Sequence, residues 1–131
     1  MKKQITVVGA VVVKDGRVLA AQRSRQMSLP GLWEFPGGKI ESGESPQQSL
    51  IREMREELLC EVAIGDQVEQ TTYEYDFGIV TLTTFWATLV DAEPQLTEHS
   101  AVRWLAPSEL DQVEWAPADI PAVQRVGEVL G

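Results

Sequence analysis

The chain has 131 residues, 44% of them hydrophobic, with 20 acidic against 11 basic side chains and a formal net charge of -9 at pH 7. That length and apolar content fit one globular domain, residues 1–131, with a single buried core and no linker. The negative charge opposes attachment to nucleic acid polymers and anionic membranes, so an anionic ligand requires cations to mediate its binding.

The start, Met1-Lys2-Lys3 before the apolar run Ile5 to Val13, imitates a signal peptide. The run is β-branched, however, stops at Lys14-Asp15-Gly16, and is followed at once by Val18 to Ala21. A turn-forming Asp-Gly between two apolar stretches predicts a β-hairpin, Thr6 to Val13 with Arg17 to Arg23. No stretch is long enough to span a bilayer. A loop rich in Gly and Pro follows, with Pro30-Gly31 and then Pro36-Gly37-Gly38. Ser45-Pro46-Gln47-Gln48 is the clearest helix signal: serine is a favoured N-cap, proline suits the first helical position, and Gln48 is placed to complete a capping box. The helix is therefore predicted to begin at Pro46. Within it, Leu50, Ile51, Met54 and Leu58 recur at three- and four-residue spacing, a stripe able to pack on a sheet. The lone Cys60 has no disulfide partner and sits in an apolar run, which makes it a packed thiol and the cytoplasm the default location.

Further strands are predicted at Gln70 to Asp76, Ile79 to Val90 and Val102 to Leu105, where β-branched and aromatic residues concentrate. A second helix is expected near the C-terminus, with Asp119 as a candidate cap, Pro121 early within it, and an apolar face of Val123, Val126 and Leu130. Helices plus a mixed sheet predict an α/β fold of sandwich type, with the sheet between helices. There is no internal repeat or low-complexity segment.

Opposite the apolar stripe of the first helix sit Arg52, Glu53, Glu56 and Glu57. Residues three and four apart on a helix are neighbours, so the three carboxylates converge and, unpaired, would destabilise the helix. A solvated acidic face is the ordinary reading of such a cluster. Against it stands the adjacent Pro36-Gly37-Gly38, where glycine lets backbone approach a metal or phosphate, and hard cations prefer oxygen ligands.

Gly38, five residues, Glu44, seven residues, Arg52-Glu53, Met54, one residue, then Glu56-Glu57 resembles the Nudix box, here spanning residues 38–60. With each fixed residue occurring at roughly 6 to 7%, six matched positions arise by chance about once in 10⁷ starting points. The departure is Leu59, where the pattern has glycine, which loses a helix-terminating residue and no ligand. The flanks Leu32-Trp33-Glu34-Phe35-Pro36-Gly37-Gly38-Lys39-Ile40-Glu41 resemble the MutT-like branch. The resemblance implies the Nudix α/β/α sandwich and an Mg²⁺-dependent pyrophosphohydrolase, with Mn²⁺ as a substitute, releasing a nucleoside monophosphate and pyrophosphate. It further implies that Glu53, Glu56 and Glu57 hold divalent cations with a carbonyl of Gly37 or Gly38, joined by Glu98 from the later loop Leu96-Thr97-Glu98-His99. For Glu98 a solvated loop acid is the alternative.

A triphosphate would be repelled by clustered glutamates unless metal ions bridged the two. Glu53 is the candidate base or water-orienting ligand. Arg52 and Glu44 are expected to fix the carboxylates' orientation, with a plain Arg52–Glu56 ion pair as the alternative. Arg23 resembles the position that contacts the nucleotide near phosphate or sugar, and a surface arginine is the alternative. Trp33 and Phe35 are candidate stacking partners for a base, or core.

The stretch Asp119-Ile120-Pro121 looks like the CTP pyrophosphohydrolase branch, in which the side chain at Asp119 reads the base. An ionised aspartate only accepts, which favours an amino donor such as cytosine N4, hence (d)CTP or a modified cytosine nucleotide. A protonated aspartate also donates, which keeps 8-oxo-dGTP open. A helix cap is the third reading of Asp119, and a nucleotide-sensing module without turnover is the rival function. Cleavage of a dinucleotide or sugar diphosphate has no sequence feature in its favour. The expected partner is a small nucleotide, and nothing in the sequence sets monomer against homodimer.

Overall fold

Alternation in the first strand sets the layering. The computed structural model describes residues 2–91 and 93–131, so Met1 of the basic start lies outside the described residues. Strand β1 (Gln4–Lys14) sends Val8, Ala10 and Val12 into one apolar cluster and Val11 into a second on the opposite face. This is the two-residue period of a strand buried on both sides. Asp15 and Gly16, both at positive φ, turn the chain into β2 (Arg17–Gln22), the antiparallel partner predicted from Asp-Gly.

Helix α1 (Pro46–Leu58) begins where predicted. Ser45 Oγ accepts from the Gln48 N–H at 3.1 Å, and Gln48 Oε1 accepts from the Ser45 N–H at 2.9 Å, which completes the capping box. Its Leu50, Met54 and Leu58 are fully buried in the first cluster with Leu19 and Phe85. The helix ends with Leu59 in the left-handed region at φ 52°, the conformation glycine would normally supply.

Short strands β3 (Trp33–Glu34) and β4 (Gly37–Lys39) pair with β2 and β1. Strands β5 (Val62–Tyr75), β6 (Gly78–Leu89) and β7 (Ala101–Leu105) complete the sheet. It is mixed, with β1 parallel to β6 and the remaining pairings antiparallel, in the order β3-β2-β1-β6-β5. Helix α2 (Ile120–Leu130) covers the second face, with Ala122 and Val126 buried and Val123 and Leu130 packed alongside.

Three features depart from the expectations. Strand β5 starts at Val62, eight residues before the predicted Gln70, because Gly65 and Asp66 are poor strand formers and the register shifts around Gln67, yet β6 still pairs with the whole stretch. The segments Pro107–Gln112 and Pro117–Asp119 are 3₁₀ turns. Asp119 precedes α2, but its side chain makes no cap bond. Among the described residues, no helix is long and apolar enough to cross a membrane.

Candidate active site

Strand β4 and helix α1 build one end of a cavity of about 630 Å³, a volume in the range of small-molecule sites. Gly37, Gly38, Glu53, Glu57 and Glu98 line it. A Cβ at Gly37 would run into the carbonyl of Val8 on the paired strand, and a Cβ at Gly38 would overlap the Glu53 carboxylate. The two glycines thus do different work: Gly37 allows the strands to close, and Gly38 leaves room for the Glu53 carboxylate beside the backbone.

Arg52 organises the glutamates. Its Nε and Nη2 donate to the two oxygens of Glu44 at 2.7 and 2.9 Å, and Nη1 donates to Glu53 at 2.8 Å and Glu56 at 3.1 Å. Nη2 also donates to the Lys39 carbonyl at 3.1 Å. A simple ion pair with Glu56 is therefore ruled out as its only role. The Arg52 hydrogen bonds, aided by the Glu41 backbone, hold the Glu44 carboxyl down at about 2. The guanidinium is in turn held above its ordinary range by Glu44.

Glu57 is the opposite case. Burial, then the charges of Glu53, Glu34 and Glu98, push its carboxyl up to about 8. Its Oε2 is buried without a hydrogen-bond partner. Among the described residues no three acid, histidine or cysteine side chains already converge on a single point. The donor set nevertheless fits a hard divalent cation, because Glu57 Oε2 is the kind of orphaned buried oxygen that a cation satisfies, and Glu53 and Glu98 share its cavity. Glu56 is half-exposed and turned to Arg52, outside the cavity lining.

The other end of the cavity is apolar and aromatic. Phe35 is buried there against Trp115, ring centres 4.9 Å apart, and Tyr75 stacks on Phe77 at 5.0 Å. Trp33 does not line the cavity: its N–H donates to the Glu114 carbonyl and its carbonyl accepts from the Ala116 N–H, while its side chain packs on the second cluster. Those two bonds lay the segment before α2 along β3, which brings Asp119 to the cavity. There its carboxylate accepts from the Phe35 N–H at 2.9 Å with only 5% of the residue exposed. Burial, then the Glu34 charge, raises its carboxyl well above the ordinary range. That direction favours the protonated acid, which offers both a donor and an acceptor, over the ionised form, which only accepts.

Arg23 lines the cavity but is committed to protein partners, donating to Glu34 at 2.6 Å and to the Ser28 carbonyl at 2.5 Å. Sequence reasoning missed Glu34, Tyr75 and Phe77 as lining residues. The recurrence of Tyr73, Tyr75 and Phe77 at every second position, through the end of β5 and into the turn before β6, was the available signal for the aromatic pair. Nothing in the sequence marks Glu34, whose place depends on the fold.

A family model described as the NUDIX domain matches residues 2–126. The chain belongs to the Nudix family. Two relatives are each 42% identical over 122 residues: a CTP pyrophosphohydrolase of Escherichia coli K12, covering 93% of this chain and 90% of that one, and a putative 8-oxo-dGTP diphosphatase 2 of Mycobacterium tuberculosis H37Rv, covering 91% and 84%. Among solved structures, a MutT protein of methicillin-resistant Staphylococcus aureus 252 superposes with a TM-score of 0.81 at 55% identity, covering 98% of both chains. The MutT protein of Methanosarcina mazei Go1 gives 0.86 at 27% identity, covering 97% of this chain and 95% of that one. This Nudix protein is an enzyme, a hydrolase acting on acid anhydrides, and Nudix hydrolases as a family generally use a divalent metal.

Proposed function

We propose that this Nudix enzyme is an Mg²⁺-dependent nucleoside triphosphate pyrophosphohydrolase, forming a nucleoside monophosphate and pyrophosphate, with (d)CTP or a modified cytosine nucleotide as its first substrate class. The observation that carries the reading is the single cavity joining the glutamates beside Gly38 to an aromatic, base-sized end at Phe35 and Asp119. Residues 1–131 act in it as one domain, a reading supported by the family match over 2–126. The buried thiol of Cys60 agrees with a cytoplasmic site of action.

Glu53, Glu57 and Glu98, with a carbonyl of Gly37 or Gly38, would hold the cations, and Glu56 would join them on leaving its Arg52 bond. Magnesium, when bound, neutralises the triphosphate and polarises phosphorus toward attack. Glu53 accepts the proton of the attacking water, and it is aimed by the Arg52 Nη1 hydrogen bond. Glu44, held ionised, keeps Arg52 in place through two parallel bonds. At the far end Phe35 and Tyr75 flank the base, and Asp119, when protonated, donates to cytosine N3 while accepting from N4.

The upward shift of the Asp119 carboxyl also favours a second reading, 8-oxo-dGTP, because the protonated acid both donates and accepts and a purine edge presents both donors and acceptors. A panel of canonical, methylated and oxidised triphosphates, assayed for pyrophosphate with Mg²⁺, separates the two. Asp119→Asn keeps a donor and an acceptor and is expected to retain the base preference, whereas Asp119→Ala loses it. Preference unchanged in Asp119→Ala would remove Asp119 from base recognition.

A further inference from the structure

His99 is the chain's one histidine, and its side chain is completely buried one residue beyond Glu98. Its Nε2 donates to Glu34 Oε2 at 2.9 Å, a bond that reaches from the acid loop to β3. The other Glu34 oxygen accepts from Arg23 Nη1 at 2.6 Å, and Arg23 donates onward to the Ser28 carbonyl. One carboxylate therefore ties two loops together: the one over the nucleoside end and the one that carries Glu98.

The backbone of the Glu98 loop is attached on either side. The Gln95 N–H donates to the Leu58 carbonyl at 2.7 Å, Thr97 Oγ1 to the Glu57 carbonyl, and the Ser100 N–H to the Gln22 carbonyl at 2.9 Å. None of these bonds belongs to Glu98 or His99. Nδ1 of His99 is buried without a hydrogen-bond partner, so the Nε2 bond to Glu34 carries the ring's attachment and fixes where the loop turns.

We propose that His99 is a positioning residue for hydrolysis: pinned to Glu34, it holds Glu98 at the glutamate end of the cavity beside Glu57. The proposal rests on the assignment of Glu98 to that reacting end. It makes Glu34 a joint between substrate-facing and reacting elements, with Arg23 retaining the nucleoside side when His99 is lost.

The test compares His99→Leu, which removes the donor, with His99→Gln, whose amide N–H₂ reaches the place of Nε2. In His99→Leu, kcat is expected to fall about 10- to 100-fold with KM within about threefold, as for a misplaced catalytic group. His99→Gln recovers most of kcat, and in a Glu98→Gln background His99→Leu adds little, since the two act as a unit. Equal losses in both variants, a raised KM with kcat intact, or full additivity with Glu98→Gln would overturn the proposal. A substrate-free readout keeps it separate from the proposed activity: amide NMR signals of Thr97, Glu98 and Glu34 shift in His99→Leu and return in His99→Gln. Unmoved signals in His99→Leu overturn the positioning role. If the wild type releases no pyrophosphate from any triphosphate, the activity assignment fails and the NMR comparison alone decides His99.

Discussion

At the scale of single residues, the site depends on atoms that lack a partner or lack a side chain. Glu57 is held near 8 against an ordinary 4.5, so its proton is retained on folding and released on unfolding. Stability from this group is complete below 4.5 and is lost as pH rises through about 8. In chelator, Glu57→Gln is expected to melt on the order of 5 °C above wild type at pH 8, with the gain vanishing toward pH 5. A pH-independent difference in a thermal-melt series would contradict this. Glu44 has the opposite sign: held at about 2, it contributes above 4.5 and loses that contribution as pH falls through 2. The two glycines separate folding from function. Gly37→Ala is forced against the Val8 carbonyl and is expected to cost about 2 kcal/mol or more in denaturant unfolding. Gly38→Ala meets first the movable end of Glu53, so it is expected to keep the fold and lose on the order of 10²-fold in kcat.

At the scale of elements, local chemistry made most of the fold readable. The Asp-Gly hairpin and the Ser45–Gln48 capping box occur where the residues predict them, because their hydrogen bonds lie within a few positions along the chain. The start of β5 and the strands β3 and β4 were not readable, since two- and three-residue segments and a stretch interrupted by Gly65-Asp66 become strands only when distant partners pair with them. The same division holds in the site. Glu53, Glu57 and Gly38 were visible from spacing on one helix, whereas Glu34, Tyr75 and Phe77 reach the cavity only through the sheet, and Trp33 leaves it because its backbone pairs with the segment before α2. The departure from the Nudix box at Leu59 is also an element-scale effect. The helix still ends in the left-handed region, and a side chain there costs about 1 kcal/mol relative to glycine. Leu59→Gly, at a half-exposed position, is expected to raise the unfolding free energy by about that amount without changing kcat.

At the scale of the whole molecule, a chain of net charge -9 with acids lining its cavity has to bind an anion. Bound cations would resolve that conflict, so Mg²⁺ is expected to raise the melting temperature of the wild type, and chelation is expected to abolish both that gain and turnover. Arg52 is the internal counterpart of those cations, bonded to Glu44, Glu53 and Glu56 together. Arg52→Lys cannot reproduce the planar fork and is expected to lower kcat by at least about tenfold, as measured in steady-state kinetics. The central claim is that the glutamates beside Gly38 cleave a nucleoside triphosphate within its phosphate chain. Phosphorus NMR of CTP incubated with wild type and Glu53→Gln, with Mg²⁺ and with chelator, tests it most directly. CMP and pyrophosphate are expected from wild type with Mg²⁺ alone, with a loss of about 10²–10⁴-fold in Glu53→Gln and the fold retained. CDP and phosphate as products, turnover in chelator, or full activity in Glu53→Gln would contradict it.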